Sequence, residues 1–131
     1  MNAWTETQVT TKVSPRSVAD TVARLTGILA AKGIQVFAVI DQSEQARAAG
    51  LRLRETTLVI FGNPAAGTLV MDAAPLAALD LPLKVLVWAD EGQTNVTYYS
   101  PAALAARFDL SAELAANLAG VDPLTDALVA P

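Results

Sequence analysis

Apolar and polar positions change period several times along this chain, and each change marks an element. Over residues 5–13 the pattern alternates, with Val9, Thr11 and Val13 on one side and Gln8, Thr10 and Lys12 on the other. That reads as a half-buried strand. From Val18 the period lengthens, so that Val18, Val22, Leu25 and Leu29 share one helical face. Ser14 is placed to cap this helix, with Pro15 in its first turn and Gly33 at its stop. Burying the four apolar side chains is worth ~6–12 kcal/mol before entropy is subtracted. Residues 34–41 (IQVFAVID) form a second predicted strand, apolar on both faces. A short helix over 43–50 follows, capped by Ser43 and ended by Gly50, and then a third strand over 56–61. Residues 64–81 are alanine-rich and broken by Pro75, which predicts short helical turns. A fourth strand (83–88) and a fifth (95–99) flank Asp90-Glu91-Gly92-Gln93, residues suited to a hairpin turn. Residues 101–107 predict a helix capped by Ser100, and 111–118 another ended by Gly120, with Asp122-Pro123 restarting a last turn.

The order is β-α-β-β-β-β-α with short helical insertions, in a single domain over 1–131. Helices segregated from a mostly antiparallel five-stranded sheet define the α+β class, with the helices packed on one face. The central strands are apolar on both sides: Ile34, Val36 and Ile40 back onto Phe37 and Val39, and Val85 and Val87 onto Leu86 and Trp88. So few helices cover one face and leave the other as an exposed apolar surface, the mark of an interface. A homodimer is the expectation, with Trp88 in the core or at the dimer contact.

Composition narrows the chemistry. Hydrophobic residues make up 53% of the chain, enough to build a core, though much of the fraction is alanine. There is no cysteine and no histidine. Disulfides, thiolate metal sites and Ser-His-Asp or Cys-His nucleophiles are therefore excluded, and neither a metal nor a cofactor is expected. The net charge is −4 without a basic run, which argues against nucleic acid. The N-terminus lacks a signal-peptide pattern, and the longest uncharged run, 56–71, is broken by Asn63, Pro64 and two glycines. The expectation is a soluble, cytoplasmic protein with no membrane segment. The opening residues, including Trp4, are expected to be disordered.

Longer motifs point further. Val39-Ile40-Asp41, Ala49-Gly50-Leu51-Arg52-Leu53, the run from Thr56 through Gly62-Asn63-Pro64, Gly67-Thr68, and Asp80-Leu81-Pro82-Leu83-Lys84-Val85-Leu86-Val87-Trp88 stand in this order, followed by Tyr98 and Ser100-Pro101. By these the chain resembles the domain of unknown function 302 family from about Val13 to its end. The resemblance implies a compact α+β fold of the TATA-binding-protein-like kind, commonly dimeric, and implies no reaction. Departures are Gln42 and Phe108, where the family often has histidine, and Glu55, where it often has proline. Any role of those histidines in metal binding or proton transfer is lost here.

Candidate residues follow from where the strands end. The loop Gly62-Asn63-Pro64-Ala65-Ala66-Gly67-Thr68 follows the third strand. Antiparallel neighbours bring Lys84, Tyr99 and Ser100 to the same sheet end. Asn63, Gly67, Thr68, Lys84, Tyr99 and Ser100 thus make a candidate pocket for a small polar or anionic ligand. The competing reading is a structural turn, in which Asn63 bonds backbone, Gly67 supplies a positive φ and Lys84 is solvated. A second candidate is Asp41 with Thr56, either a carboxylate base or a cap for the helix beginning at Gln42 or Ser43. Arg47, Arg52 and Arg54 either meet an acidic partner or pair with Glu44 and Glu55. The leading functional expectation is a non-catalytic homodimeric domain that binds a small molecule or a partner protein. The alternative is a small enzyme using Asp41, Lys84 or Tyr99 as acid/base groups.

Overall fold

A computed structural model describes residues 8–131; the strand expected to start at residue 5 and Trp4 both reach into the part outside the described residues. The five strands are β1 (Val9–Ser14), β2 (Gln35–Asp41), β3 (Thr56–Gly62), β4 (Leu83–Asp90) and β5 (Gln93–Tyr99). They form one sheet in the order β1-β5-β4-β3-β2, with every neighbouring pair antiparallel. The helices are α1 (Val18–Ala31), α2 (Gln42–Ala48), α3 (Pro64–Ala73), α4 (Pro101–Arg107), α5 (Ala112–Ala116) and α6 (Val121–Val129). A 3₁₀ turn, Pro75–Leu79, follows α3. The α+β class and the five-stranded antiparallel sheet expected from the sequence are what the chain adopts.

Strand alternation sorts the sheet into two faces. Val59, Phe61, Val85, Val87, Val96 and Tyr98 point inward and are buried. Val59 lies opposite Val85, and Val87 opposite Val96, so the apolar rows run continuously across three strands. Val18, Leu25 and Leu29 of α1 and Val121, Leu124 and Leu128 of α6 pack onto this face. A second cluster of Val70, Ala77, Leu104 and Leu118 joins the shorter helices, and Leu83 packs against both clusters. Leu58, Ile60, Leu86 and Trp88 face the other way and belong to neither cluster. Each is only partly covered, and Val13 of the same face is 51% exposed.

Some local features differ from the sequence expectation and others match it. Ser17, not Ser14, caps α1, its hydroxyl accepting from the Asp20 N–H. Ser14 ends β1 instead and its hydroxyl bonds the buried Thr21 hydroxyl at 2.8 Å. Of the two caps expected for α2, Asp41 takes the role and Ser43 does not: the Asp41 carboxylate accepts from the Glu44 N–H while Ser43 donates its own hydroxyl to that carboxylate. Gly33 supplies the left-handed residue after α1, with φ 68°. Asp90 pairs with Gln93 across Glu91 (φ 50°) and Gly92 (φ 79°), a two-residue hairpin loop with both φ positive.

The largest departure is α6. Sequence reading gave a single turn near Asp122-Pro123, but the helix runs nine residues. Pro123 lies in its first turn, where its missing N–H costs nothing. The helix has no side-chain N-cap. Basic residues from other elements hold it. Lys12 Nζ of β1 donates to the Asp122 carbonyl (3.0 Å) and the Thr125 hydroxyl (2.7 Å), and pairs with Asp126 at 2.8 Å. Arg16 donates to the Leu128 and Ala130 carbonyls, and Arg24 to the Ala127 carbonyl. These guanidinium groups satisfy carbonyls at the negative end of the helix dipole. The Tyr98 hydroxyl adds a bond to the Asp122 carboxylate. This explains why β1 turns Lys12 and Ser14 toward the helices and its valines outward.

Partial burial works against the Lys12 charge, but Asp126 and Tyr98 outweigh it and hold the ammonium pKa above the ordinary lysine value. A raised folded pKa means stabilisation that is complete below the unfolded lysine value and lost as pH climbs through the folded one. Lys12→Met, which keeps the apolar stem but removes the donor, is expected to cost about 1–2 kcal/mol near neutral pH. In urea melts, the gap between wild type and variant should narrow at strongly alkaline pH; a constant gap would deny the ammonium its role.

Candidate functional site

A cleft of about 480 Å³ opens at the sheet end where β3 stops and β4 begins. Its floor is Phe61 and Gly62 with Leu83; α3 forms one wall through Gly67, Thr68 and Met71, and Leu118, Val121 and Leu124 form another. The β2 side closes it through a bulge. Val36 lies opposite Phe61 and Ala38 opposite Ile60, so Phe37 is the extra residue between them. A bulge re-aims the side chain it inserts, and Phe37 lines the cleft while remaining 45% exposed. A Cβ on Gly62 would meet Phe37 at 3.6 Å and Pro82 at 3.5 Å, so glycine leaves room at the floor between those side chains. The Leu81–Pro82 peptide is cis, and both residues line the cleft.

The local sequence explains α3. Asn63 takes an extended conformation, its side-chain oxygen accepts from the Ala65 N–H at 3.0 Å, and Pro64 occupies the first turn. Gly67 lies inside this helix, not at a positive φ; a Cβ there would meet only the Met71 terminal methyl, at 3.8 Å. The positive φ expected at Gly67 is thus replaced by a helical residue whose missing side chain widens the cleft.

The six residues of the first candidate do not share one space. Asn63, Gly67 and Thr68 line the cleft. Lys84 and Tyr99 border a separate, filled recess with Asp80 and Tyr98, and the two sites share Leu83 and Val121. Lys84 lies opposite Ile60, three residues short of Asn63, on the open side of the sheet. Its ammonium donates to the Asp80 and Pro82 carbonyls. Ser100 caps α4 by accepting from the Ala103 N–H. Arg107 pairs with Asp80, donates to Gln8 and lies 5.3 Å from the centroid of the Tyr99 ring. These groups are engaged with one another.

Asp41 lies at the other sheet end, opposite Thr57. It is fully exposed, and the Ser43 hydroxyl and Glu44 N–H hold its pKa below the ordinary aspartate value. Thr56 donates its hydroxyl to the Arg54 carbonyl, and its N–H reaches Ser43 rather than Asp41. Asp41, Lys84 and Tyr99 are therefore not gathered around one space. Arg47 pairs with Glu44 as expected, whereas Arg54 pairs with Asp90 in place of Glu55. The half of the cleft that sequence reading missed is built from Phe37, Leu118 and α6. Its signal was the spacing of Val121, Leu124, Thr125 and Leu128.

The family described as domain of unknown function DUF302 matches residues 9–128. The chain belongs to that family. A crystal structure of an uncharacterized conserved DUF302 protein from Bacillus stearothermophilus superposes with a TM-score of 0.78, covering 92% of this chain and 94% of that one at 20% identity. It shares the fold. Two proteins named fluoride-specific ion channel FluC 1, from Brucella suis biovar 1 and Brucella abortus biovar 1, are each 41% identical over 98 residues. The matched segment is 74% of this DUF302 chain but 39% and 36% of those proteins, so the chain spans well under half their length. Among the described residues no helix is long and apolar enough to cross a membrane.

The lowered pKa of Asp41 fixes a sign. Its cap on α2 stabilises the domain above the unfolded aspartate pKa, and the contribution fades as pH falls through the depressed folded value. Asp41→Ala should therefore lower the melting temperature at neutral pH and converge with wild type in acid. Equal melting temperatures across the whole range would remove the cap from the account of α2.

Proposed function

We propose that this DUF302 domain is a non-catalytic binding module that holds a small, largely apolar molecule in the cleft between α3 and α6. The cleft itself carries this reading. Its volume of about 480 Å³ lies within the ~300–1,000 Å³ typical of small-molecule sites. Apolar side chains dominate its lining, with a few polar groups among them, which is the usual division between affinity and orientation. A polar ligand at Lys84 and Tyr99 is less well supported, because those side chains border a recess already filled by their neighbours. Ion conduction, the activity named for the Brucella relatives, is not carried over to a chain whose described helices are all too short to span a bilayer.

The module acts as a homodimer in this reading. Support comes from the open sheet face, where Leu58, Ile60, Leu86 and Trp88 are adjacent across β3 and β4 and lie outside both packed clusters. A second copy would remove this apolar surface from water.

Two measurements test the proposal. A neutral apolar dye, N-phenyl-1-naphthylamine, should bind with enhanced fluorescence, and Gly67→Trp should weaken that binding at least ~10-fold by filling the cleft while melting stays cooperative. Undiminished dye binding by the variant would place the dye elsewhere and overturn the cleft reading. Separately, light scattering should give the mass of two chains for wild type and one for Leu86→Glu; a wild-type monomer at micromolar concentration would refute the dimer.

A further inference from the structure

The charge around the cleft narrows the ligand class. Among the described residues, Lys32 is the one charged residue lining it. It caps the C-terminal end of α1, two residues before Ile34, which also lines the cleft. Gln35 opens β2 opposite Gly62, so Lys32 and Asn63 lie beyond the same end of the sheet. No carboxylate among the described residues comes within ion-pair distance of Lys32. Asp122 is near in sequence to cleft residues, but its carboxylate accepts from the Tyr98 hydroxyl.

The uncharged polar groups can add donors. Asn63 accepts at its amide oxygen as the α3 cap, and the same amide carries two N–H donors. Thr68 brings a hydroxyl and Asn117 a second amide to the lining. Donors without a neighbouring carboxylate suit an acceptor-rich, negatively charged group. One ammonium balances one negative charge, whereas a dianion would leave an unpaired charge beside apolar walls, at a cost in desolvation. An organic cation would find no counter-charge among the described residues of the cleft. The net charge of −4 repels anions from the protein in general, which makes a local cation the necessary anchor.

We infer that the cleft takes an amphiphilic monoanion, a carboxylate on an apolar body, with the carboxylate held by Lys32 and the body lying along Phe37, Phe61 and Met71. This rests on the cleft reading above and adds the head group and its anchor.

The test is displacement of N-phenyl-1-naphthylamine by decanoate and by decanol, both below their aggregation concentrations, in wild type and in Lys32→Gln. Wild type should bind decanoate about 5–10-fold more tightly than decanol, as one exposed charge-assisted contact allows. In Lys32→Gln the two should bind alike, with decanol and dye affinities unchanged. Added salt should shrink the wild-type preference. Equal binding of decanoate and decanol by wild type, or a preference that survives Lys32→Gln, would overturn the head-group assignment and leave the apolar cleft standing. Failure of the dye and of both competitors to bind would overturn the cleft reading and this inference together.

Discussion

One constraint organises this domain: its sheet is apolar on both faces, and the described helices cover one. The inner rows, Val59 against Val85 and Val87 against Val96, are fully buried only because α1 and α6 lie over them. Helix α6 is the weaker partner, short and without a side-chain N-cap. Lys12, Arg16 and Arg24 dock it by donating to its exposed carbonyls and to Thr125. The polar inward row of β1 is thus a clamp, and the price is that Val13 faces out. Both of the surfaces on which function is proposed follow from this arrangement. Among the described residues the outer face is left open, and the cleft at the sheet end lies between α3 and α6.

The cleft and the network beside it illustrate opposite uses of polar residues. Around Asp80, Lys84, Tyr99 and Arg107 the groups bond one another or nearby backbone carbonyls, which ties the end of the sheet to α4. Around Asn63, Thr68 and Lys32 the walls are apolar and the donors are few. A ligand gains affinity where apolar surface awaits cover and where polar groups retain capacity, and only the second location offers both. The family assignment adds no reaction to this picture, and the distant Bacillus relative adds the fold.

Much of the fold was legible in the sequence because its signals are local. Alternation gave the strands, Gly33 and Gly92 gave left-handed turns, and Ser100-Pro101 gave the start of α4 in the right place. Errors arose where two residues compete for one local role. Ser14 and Ser17 are both credible caps, and packing of Ser14 against Thr21 decided between them. Asp41 and Ser43 competed in the same way, and the carboxylate was the stronger acceptor. The extent of α6 was missed because Asp122-Pro123 reads as a break, while its stabilising partners lie more than a hundred residues away in sequence. The candidate site was legible by half. Strand ends located Asn63, Gly67 and Thr68, but a pattern of strand ends does not tell which face a residue occupies. Lys84 lies one position from inward-facing Leu83, and that single step puts it on the open side. The bulge that brings Phe37 to the cleft leaves no mark in hydrophobic periodicity.

The central claim is that the cleft between α3 and α6, not the open sheet face, is where a small molecule binds. Methyl NMR of the protein during titration with a neutral apolar ligand tests it most directly. The methyl signals of Met71, Leu118 and Val121 should shift and saturate together, with those of Leu58, Ile60 and Leu86 unmoved. Saturable shifts confined to Leu58, Ile60 and Leu86 would contradict the claim.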